Sequence, residues 1–218
     1  MASIFINDKL RLSRLGLQVK DSESHWTELH CQQGRLDGAC VVYSVVMALL
    51  SIGYISNEDI DVNKDPNPDK RTDKGKLLSK LLDERGLVRD GYYLRTMSII
   101  LRDLCSELSI SYHKKGETLV SKIQDGIESS FPVVISVNNN DMGHGILVIG
   151  IEYDKNKNVS KLLCLDPGFS IDDTSYWNCI IDVSKKSSGE YPYWYVTSDN
   201  KSKVEIKDII IIRENTEE

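Results

Sequence analysis

The segment from Gln32 to Ile55 constrains the fold more than any other part of the chain. A polar lead-in that contains glycine changes abruptly, at Ala39, into a long apolar run typical of a buried helix. Asp37 is a favourable N-cap residue, so the pattern predicts a helix from Asp37 to about Gly53. Its apolar side chains occupy almost every face, and we therefore expect the helix to lie at the centre of the fold.

Cys40 is predicted to lie in the first turn of this helix. Unpaired backbone N–H groups and the helix dipole favour an anion there, and a thiol in such a position has a pKa below its usual value of about 8.5. The resulting thiolate would be a nucleophile. Because free cysteine is often buried for packing alone, this segment by itself leaves that alternative open. Cys31 is a rival nucleophile, but it precedes the helix, so Cys40 is preferred.

A nucleophilic cysteine needs a histidine base and a group that orients the imidazole. His144 opens the segment GHGILVIG, which predicts a buried strand, and Asp166 ends the next predicted strand, KLLCLDPG. If the two strands pair antiparallel, His144 and Asp166 meet. Asn178, in the following predicted strand, is the alternative orienting residue. Asp166 is preferred because a carboxylate also stabilises the imidazolium that forms during turnover.

Together these features resemble a known family. The order of a glutamine, a cysteine opening a long helix, a histidine in a GHGILVIG-type strand and an Asp-Pro pair after the next strand resembles the papain-like cysteine peptidases. More narrowly, it resembles the bacterial leader-peptide-cleaving (bacteriocin-processing) peptidases and related papain-like toxin and effector domains. The resemblance extends from Gln32 to Gly168.

The resemblance implies a role for each matching residue. Cys40 would be the nucleophile, His144 the general base and acid, and Asp166 the orienting residue. The side chain of Gln33, or alternatively that of Gln32, would complete an oxyanion hole with the backbone N–H of Cys40. This chain departs from the family in two ways: Val41 replaces the glycine that commonly follows the nucleophile, and the family's glutamine usually lies one residue nearer the cysteine.

The order of the predicted elements indicates the fold class. Helical patterns dominate as far as Ile110, and strands with one intervening helix follow. We therefore expect an α+β, papain-like fold in which an N-terminal helical part, with the central buried helix, packs on a C-terminal, mostly antiparallel sheet. Residues 1–31 are interpreted as an N-terminal wrapping segment, and residues 32–218 as a single papain-like cysteine hydrolase domain.

Charge and composition exclude several function classes. The 27 Lys and Arg residues against 33 Asp and Glu residues give a net charge of −6, which does not favour non-specific nucleic-acid binding. No apolar run approaches the roughly 20 residues of a membrane span, and the N-terminus lacks signal-peptide order. The five cysteines include no CxxC pair and suit a reducing compartment. These features predict a cytoplasmic protein, or an effector secreted without a cleavable signal peptide.

The sequence predicts neither a cofactor nor a metal. The stretch from Asp61 to Asp73 lacks the glycine and terminal glutamate of a calcium-binding hand, and the glycines of GHGILVIG do not form a nucleotide-binding motif.

The predicted function is hydrolysis of an amide bond, most readily a peptide bond, by a Cys-His-Asp mechanism through a thioester. A glutamine deamidase or transglutaminase-like effector uses the same intermediate and is an alternative. A catalytically silent papain-like binding module is a second alternative, to which Val41 is the sequence clue. The expected partners are a protein or peptide substrate and, for a toxin, a cognate immunity or inhibitor protein.

Overall fold

The computed structural model of the chain describes residues 2–21, 23–34, 38–61, 68–82, 91–115, 118–185 and 188–215. Asp37, the predicted N-cap, lies outside these residues, as does Gly86, which the segment GKLLSKLLDERGL predicts as the end of a short amphipathic helix. The same holds for residues 62–67 of the predicted Asp- and Asn-rich loop.

Strands make up most of the regular structure in the described residues, which form eleven strands and four α-helices. The helices are α1 (Cys40–Ser51), α2 (Asp73–Leu81), α3 (Leu94–Leu104) and α4 (Leu119–Glu128), with a short 3-10 helix at Asn57–Ile60. The strands are β1 (Ser3–Ile6), β2 (Leu10–Ser13), β3 (Gly16–Lys20), β4 (Trp26–Glu28), β5 (Leu108–Lys114), β6 (Val133–Asn138), β7 (Gly143–Tyr153), β8 (Val159–Leu165), β9 (Cys179–Asp182), β10 (Tyr193–Thr197) and β11 (Lys201–Glu214).

Six of these strands close into an antiparallel barrel. Strand β7 pairs with β6 along one edge and with β8 along the other, and the ring continues through β9, β10 and β11 back to β6. Two further strands extend this sheet, β1 beside β7 and β5 beside β11. A second, three-stranded sheet contains β2, β3 and β4. Closure of the ring satisfies the backbone groups that an open sheet would leave unpaired at its edges.

The predicted α+β papain-like fold is therefore wrong, because the chain is mostly β and is built on a closed barrel. The individual strand patterns were recognisable, but closure depends on the last strand of the ring, β11, pairing with the first, β6. Such distant pairings leave no local mark in the sequence. The N-terminal residues, interpreted as a wrapping segment, contribute β1 to the eight-stranded sheet and also form the separate three-stranded sheet.

Alternating side chains of the barrel strands build two cores. The inward-facing core lies inside the barrel and includes α4 residues, with members such as Ile123, Val137, Ile146, Cys164 and Ile211. The outward-facing residues of β6, β7 and β11 belong to a second core together with α1, α2 and α3, with members such as Met47, Leu77, Met97, Leu147 and Ile210. The barrel wall is thus covered on one side by helices, with α1 against β6 and β7.

The contact between α1 and β7 is close because Gly145 has no side chain. A Cβ atom placed on Gly145 would lie 2.7 Å from Val41 Cγ2 and 2.9 Å from Val41 Cα. The Ser44 hydroxyl of α1 also donates a hydrogen bond to the Gly145 carbonyl at 3.0 Å. The start of α1 is therefore fixed directly against the start of β7.

None of the helices in the described part of the chain combines the length and the apolarity that a membrane crossing requires.

The close contact between Gly145 of β7 and Val41 of α1 generates a prediction for stability. Gly145→Ala should lower the free energy of unfolding by about 1–3 kcal/mol, because the added methyl group collides with the α1 backbone. Gly143→Ala is the matched control, since its added methyl group would meet only Asn138 side-chain atoms, at 3.8 and 3.9 Å. Chemical denaturation of the two variants measures the difference. Equal stabilities would show that the Gly145 contact is not limiting.

Candidate active site

Cys40 is the first residue of α1, and its side chain lies against the start of β7. The N-cap residue is Ala39, which makes no side-chain capping hydrogen bond. The Gly145 N–H donates to Cys40 Sγ at 3.3 Å, and the Val41 N–H is a second backbone donor to the same sulfur. The predicted helix start at Asp37 is therefore wrong, whereas the predicted position of Cys40 in the first turn agrees with the structure. Two backbone donors and the helix start all favour a negative charge on the sulfur.

His144 connects Cys40 to Asp166. Its Nε2 atom lies 2.7 Å from Asp166 Oδ1, and its side chain also shares a hydrogen bond with Cys40. Because Nε2 faces the carboxylate, Nδ1 is the ring nitrogen left for the thiol. The antiparallel pairing of β7 with β8 brings His144 and Asp166 together in the way that the sequence predicted.

The Asp166 carboxylate is completely buried and accepts hydrogen bonds from three groups. Besides His144, these are the Gly168 N–H, at 2.6 Å from Oδ1, and the Tyr195 hydroxyl, which donates to Oδ2. Burial alone would raise the pKa of Asp166, but the bond to His144, its charge and the other two donors hold this pKa below its usual value. The carboxylate is therefore charged and fixed in place.

Asn178 positions the backbone of Asp166 instead of contacting His144. Its Oδ1 accepts from the Asp166 N–H at 2.7 Å, and its Nδ2 donates to the Asp166 carbonyl at 2.8 Å. His30 Nε2 lies 3.1 Å from the same carbonyl. Of the two orienting residues that the sequence offered, Asp166 lies beside the imidazole of His144, whereas Asn178 contacts the backbone of Asp166.

The charges of Cys40 and His144 depend on each other. Burial raises the pKa of Cys40, but the hydrogen bond and charge of His144, with the N–H groups of Gly145 and Val41, outweigh burial and lower it. Burial likewise lowers the pKa of His144, yet the bonds to Asp166 and Cys40 raise it to about 10. These opposite shifts favour a thiolate beside an imidazolium at neutral pH.

The rival thiol, Cys31, lies in a different environment. Its sulfur contacts the Leu29 carbonyl, and burial together with the nearby Glu28 raises its pKa to about 12. Burial similarly raises the pKa of Cys105 to about 11. Cys164 of β8 and Cys179 of β9 lie opposite each other in the barrel interior. Among these thiols, Cys40 is the one with a lowered pKa and a histidine partner.

Gln33, the predicted side-chain donor of the oxyanion hole, lies near the turn that follows Asp166. The Gln33 backbone N–H donates to the Pro167 carbonyl at 2.8 Å, which ties this residue to the turn that follows Asp166. Its Oε1 atom is buried without a hydrogen-bond partner in the described structure. Among the described contacts none joins the Gln33 side chain to Cys40. Gln32, the alternative, is exposed.

A cleft of about 230 Å³ opens beside Cys40 and His144. Its other walls come from α3 and the segment before it, from β6 and from β11.

Within the described residues, no group of three or more potential ligands is arranged to hold a metal ion. A larger groove of about 540 Å³ beside α4 contains neither Cys40 nor His144. Besides Cys40 and His144, the residues that line the cleft of about 230 Å³ are Gly38, Val41, Gly91, Tyr92, Tyr93, Leu94, Ser136, Asn138, Gly143, Lys207 and Asp208.

Several of these contributors were not predicted from the sequence. Tyr195 looks like any aromatic residue of a half-buried strand, and nothing near it marks a partner 29 positions away. Asp208 sits beside Lys207 in the run VEIKDIIIIRE, where charged residues usually indicate an exposed edge. For Tyr92 and Tyr93 the sequence left both substrate binding and core packing open, and the structure places them in the wall of the cleft.

Fold and site together define a β-barrel protein with a buried Cys-His-Asp arrangement at the junction of a helix and a strand. No protein-family model matches the sequence, and no curated protein matches it. The predicted resemblance to leader-peptide-cleaving peptidases thus gains no support from a family match.

The search of solved structures finds UfSP from C. elegans, with a TM-score of 0.45 and 14% sequence identity. That match covers 99% of this chain and 35% of the UfSP chain, so the chain spans about a third of that protein's length. Similarity this distant carries no argument about chemistry, and function has to be inferred from the site itself.

The thiolate and imidazolium lead to a pH prediction. A lowered pKa keeps Cys40 deprotonated to lower pH, so its alkylation by iodoacetamide should remain rapid well below pH 8 and fall only as pH drops through that lowered pKa. His144→Ala should remove most of this reactivity. Peptide mass spectrometry of each cysteine over a pH series measures both effects.

Cys31 and Cys164 provide internal controls in the same samples, and circular dichroism checks that the variant is folded. Cys40 alkylation that follows an ordinary thiol, with a midpoint of about 8.5 in both proteins, would contradict the pairing.

Proposed function

We propose that this chain is a thiol hydrolase that cleaves an amide bond of a protein or peptide, most readily a peptide bond. Cys40 is the nucleophile, His144 the general base and acid, and Asp166 the orienting residue. The observation that carries the proposal is the His144 imidazole, held 2.7 Å from the buried Asp166 carboxylate on one side and hydrogen-bonded to Cys40 on the other. This arrangement of nucleophile, base and orienting residue is the one that acyl transfer requires.

The reaction begins when the Cys40 thiolate attacks the substrate carbonyl and forms a tetrahedral oxyanion. His144 then donates its proton to the leaving nitrogen, the C–N bond breaks and a thioester to Cys40 remains. A water molecule, deprotonated by His144, attacks this thioester and releases the carboxylic acid and the free thiol. Asp166 stabilises the imidazolium in each half of the cycle.

The oxyanion needs hydrogen-bond donors where its charge develops. The backbone N–H of Cys40 suits this role because Cys40 is the first residue of α1, where N–H groups have no partner within the helix. We infer that the Gln33 side chain is the second donor. Its backbone N–H donates to the Pro167 carbonyl, which keeps the residue near the Asp166 turn, and its side-chain amide carries the N–H groups that an oxyanion requires.

Substitution of these residues tests the mechanism. With a peptide mixture from a digested, denatured proteome as substrate, Cys40→Ala should abolish cleavage, and His144→Ala should reduce its rate by several orders of magnitude. Gln33→Ala should reduce the rate by about 10²–10³, the usual cost of one oxyanion donor. Mass spectrometry of new peptide termini measures each rate.

Gln32→Ala is the matched control for Gln33, since the neighbouring glutamine is exposed and should tolerate the change. Cleavage by the Cys40→Ala protein at the wild-type rate would overturn the proposal. Equal losses in the two glutamine variants would remove Gln33 from the mechanism and leave Cys40 and His144 in place.

A further inference from the structure

Asp208 is a buried carboxylate in the wall of the cleft beside Cys40 and His144. Only 7% of its surface is exposed. The Tyr112 hydroxyl donates to Asp208 Oδ2 at 2.9 Å, whereas Oδ1 is buried and has no hydrogen-bond partner within the described structure. The Ser136 hydroxyl lies near this carboxylate but donates to Asn138 Oδ1 instead, at 3.2 Å. The mechanism proposed above has no use for this acid.

A β-bulge aims Asp208 into the cleft. The register between β11 and β6 shifts between Ile206 and Asp208, so Lys207 is an extra residue in the strand. Ile206 and Ile209 both belong to the core inside the barrel, three positions apart, whereas a regular strand would alternate by two. The bulge therefore turns Asp208 away from the barrel interior, where an unbroken alternation would have placed it.

The same geometry sets the distance from Asp208 to the nucleophile. Ser136 lies directly opposite Asp208 on β11 and directly opposite Gly145 on β7. Residues opposite each other project to the same face of a sheet, so Asp208 is on the face that carries Gly145 and is two strands away, about 10 Å. The Gly145 N–H contacts Cys40 Sγ. The distance from Asp208 to the carbonyl that Cys40 attacks is therefore about the length of one extended side chain.

A buried carboxylate with an unused oxygen is unfavourable unless a cation or donor reaches it. Lys207, the adjacent cation, has an exposed side chain at the rim of the cleft. Burial raises the pKa of Asp208 above its usual value, and the hydrogen bond from Tyr112, the nearby Ser136 hydroxyl and the charge of Lys207 offset this only in part. A long cationic side chain in the cleft that Asp208 lines would bring a charge opposite to that of the carboxylate.

We propose that Asp208 is a specificity-determining residue that binds a lysine or arginine side chain of the substrate, close to the bond that Cys40 attacks. The inference rests on the proposed thiol hydrolase activity. It narrows the substrate class to peptides with a basic residue at one fixed position relative to the cleaved bond.

The test profiles the cleavage of a denatured, digested proteome by the wild-type protein and by Asp208→Asn. Sites cut by the wild type should be enriched in Lys or Arg at one position, and the enrichment should disappear in the variant. For a synthetic peptide taken from such a site, kcat/KM should fall at least about tenfold in Asp208→Asn, the loss expected for one hydrogen bond to a charged group. With norleucine at that position, the two proteins should differ less than twofold.

Asp125→Asn is the matched control, because it removes a carboxylate from an exposed position on α4 that does not line the cleft. Asp208→Ser, which also removes the charge and relieves any crowding, serves as a second variant, and thermal unfolding shows that each protein is folded. Cleavage that depends on Cys40 but shows no basic preference, or a preference that survives in both Asp208 variants, would overturn this assignment alone. Absence of any Cys40-dependent cleavage would overturn the proposed function and this inference together.

Discussion

The close approach of α1 to β7 is the contact on which the candidate site depends. Where Val41 meets Gly145, the helix backbone lies so near the strand that no side chain fits on the strand. Three consequences follow from this one contact. The Gly145 N–H reaches the Cys40 sulfur, the Gly145 carbonyl is free to accept from Ser44, and His144, one position earlier, is brought beside the thiol. Cys40 and His144 are therefore positioned by backbone packing and not by flexible side chains.

A second constraint is electrostatic, because the site places three ionisable groups where little solvent reaches them. The exposed fraction of the side chain is 12% for His144 and 0% for Asp166. At such burial each isolated charge would be costly, and the observed alternation of anion, cation and anion offsets that cost. Asp166 is fixed in position because its carboxylate also accepts hydrogen bonds from the Tyr195 hydroxyl and the Gly168 N–H. Loss of His144 would remove the cation that lies between the Cys40 sulfur and the Asp166 carboxylate.

Local sequence patterns were sufficient for most elements and for the proximity of Cys40, His144 and Asp166. The apolar run after Ala39 predicted α1 and the position of Cys40 at its start, and the glycine-flanked strand after His144 predicted β7. Asp166 was recognisable because an acid that ends an apolar strand before Pro-Gly is unusual. These predictions succeed because helix starts and strand ends are encoded within a few residues.

The remaining features depend on long-range pairing. Closure of the barrel requires β11 to pair with β6, and nothing in the strand patterns distinguishes a closed ring from an open sheet. The bulge at Lys207 is equally invisible, because its effect appears only when β11 is aligned with β6. Tyr195 and Asp208 acquire their roles through these pairings, so a periodicity argument assigns both of them to ordinary strand positions.

Val41 illustrates how the packing changes the interpretation of a sequence departure. A glycine was expected after the nucleophile, and a β-branched residue there suggested a silent site. In the structure the small residue lies on the other side of the contact, at Gly145, and Val41 fills the space that the glycine leaves. Close packing depends on the combined volume of the two partners and not on which of them is small. Val41 is therefore compatible with a positioned thiolate, and the sequence clue for a silent binding module loses its physical basis.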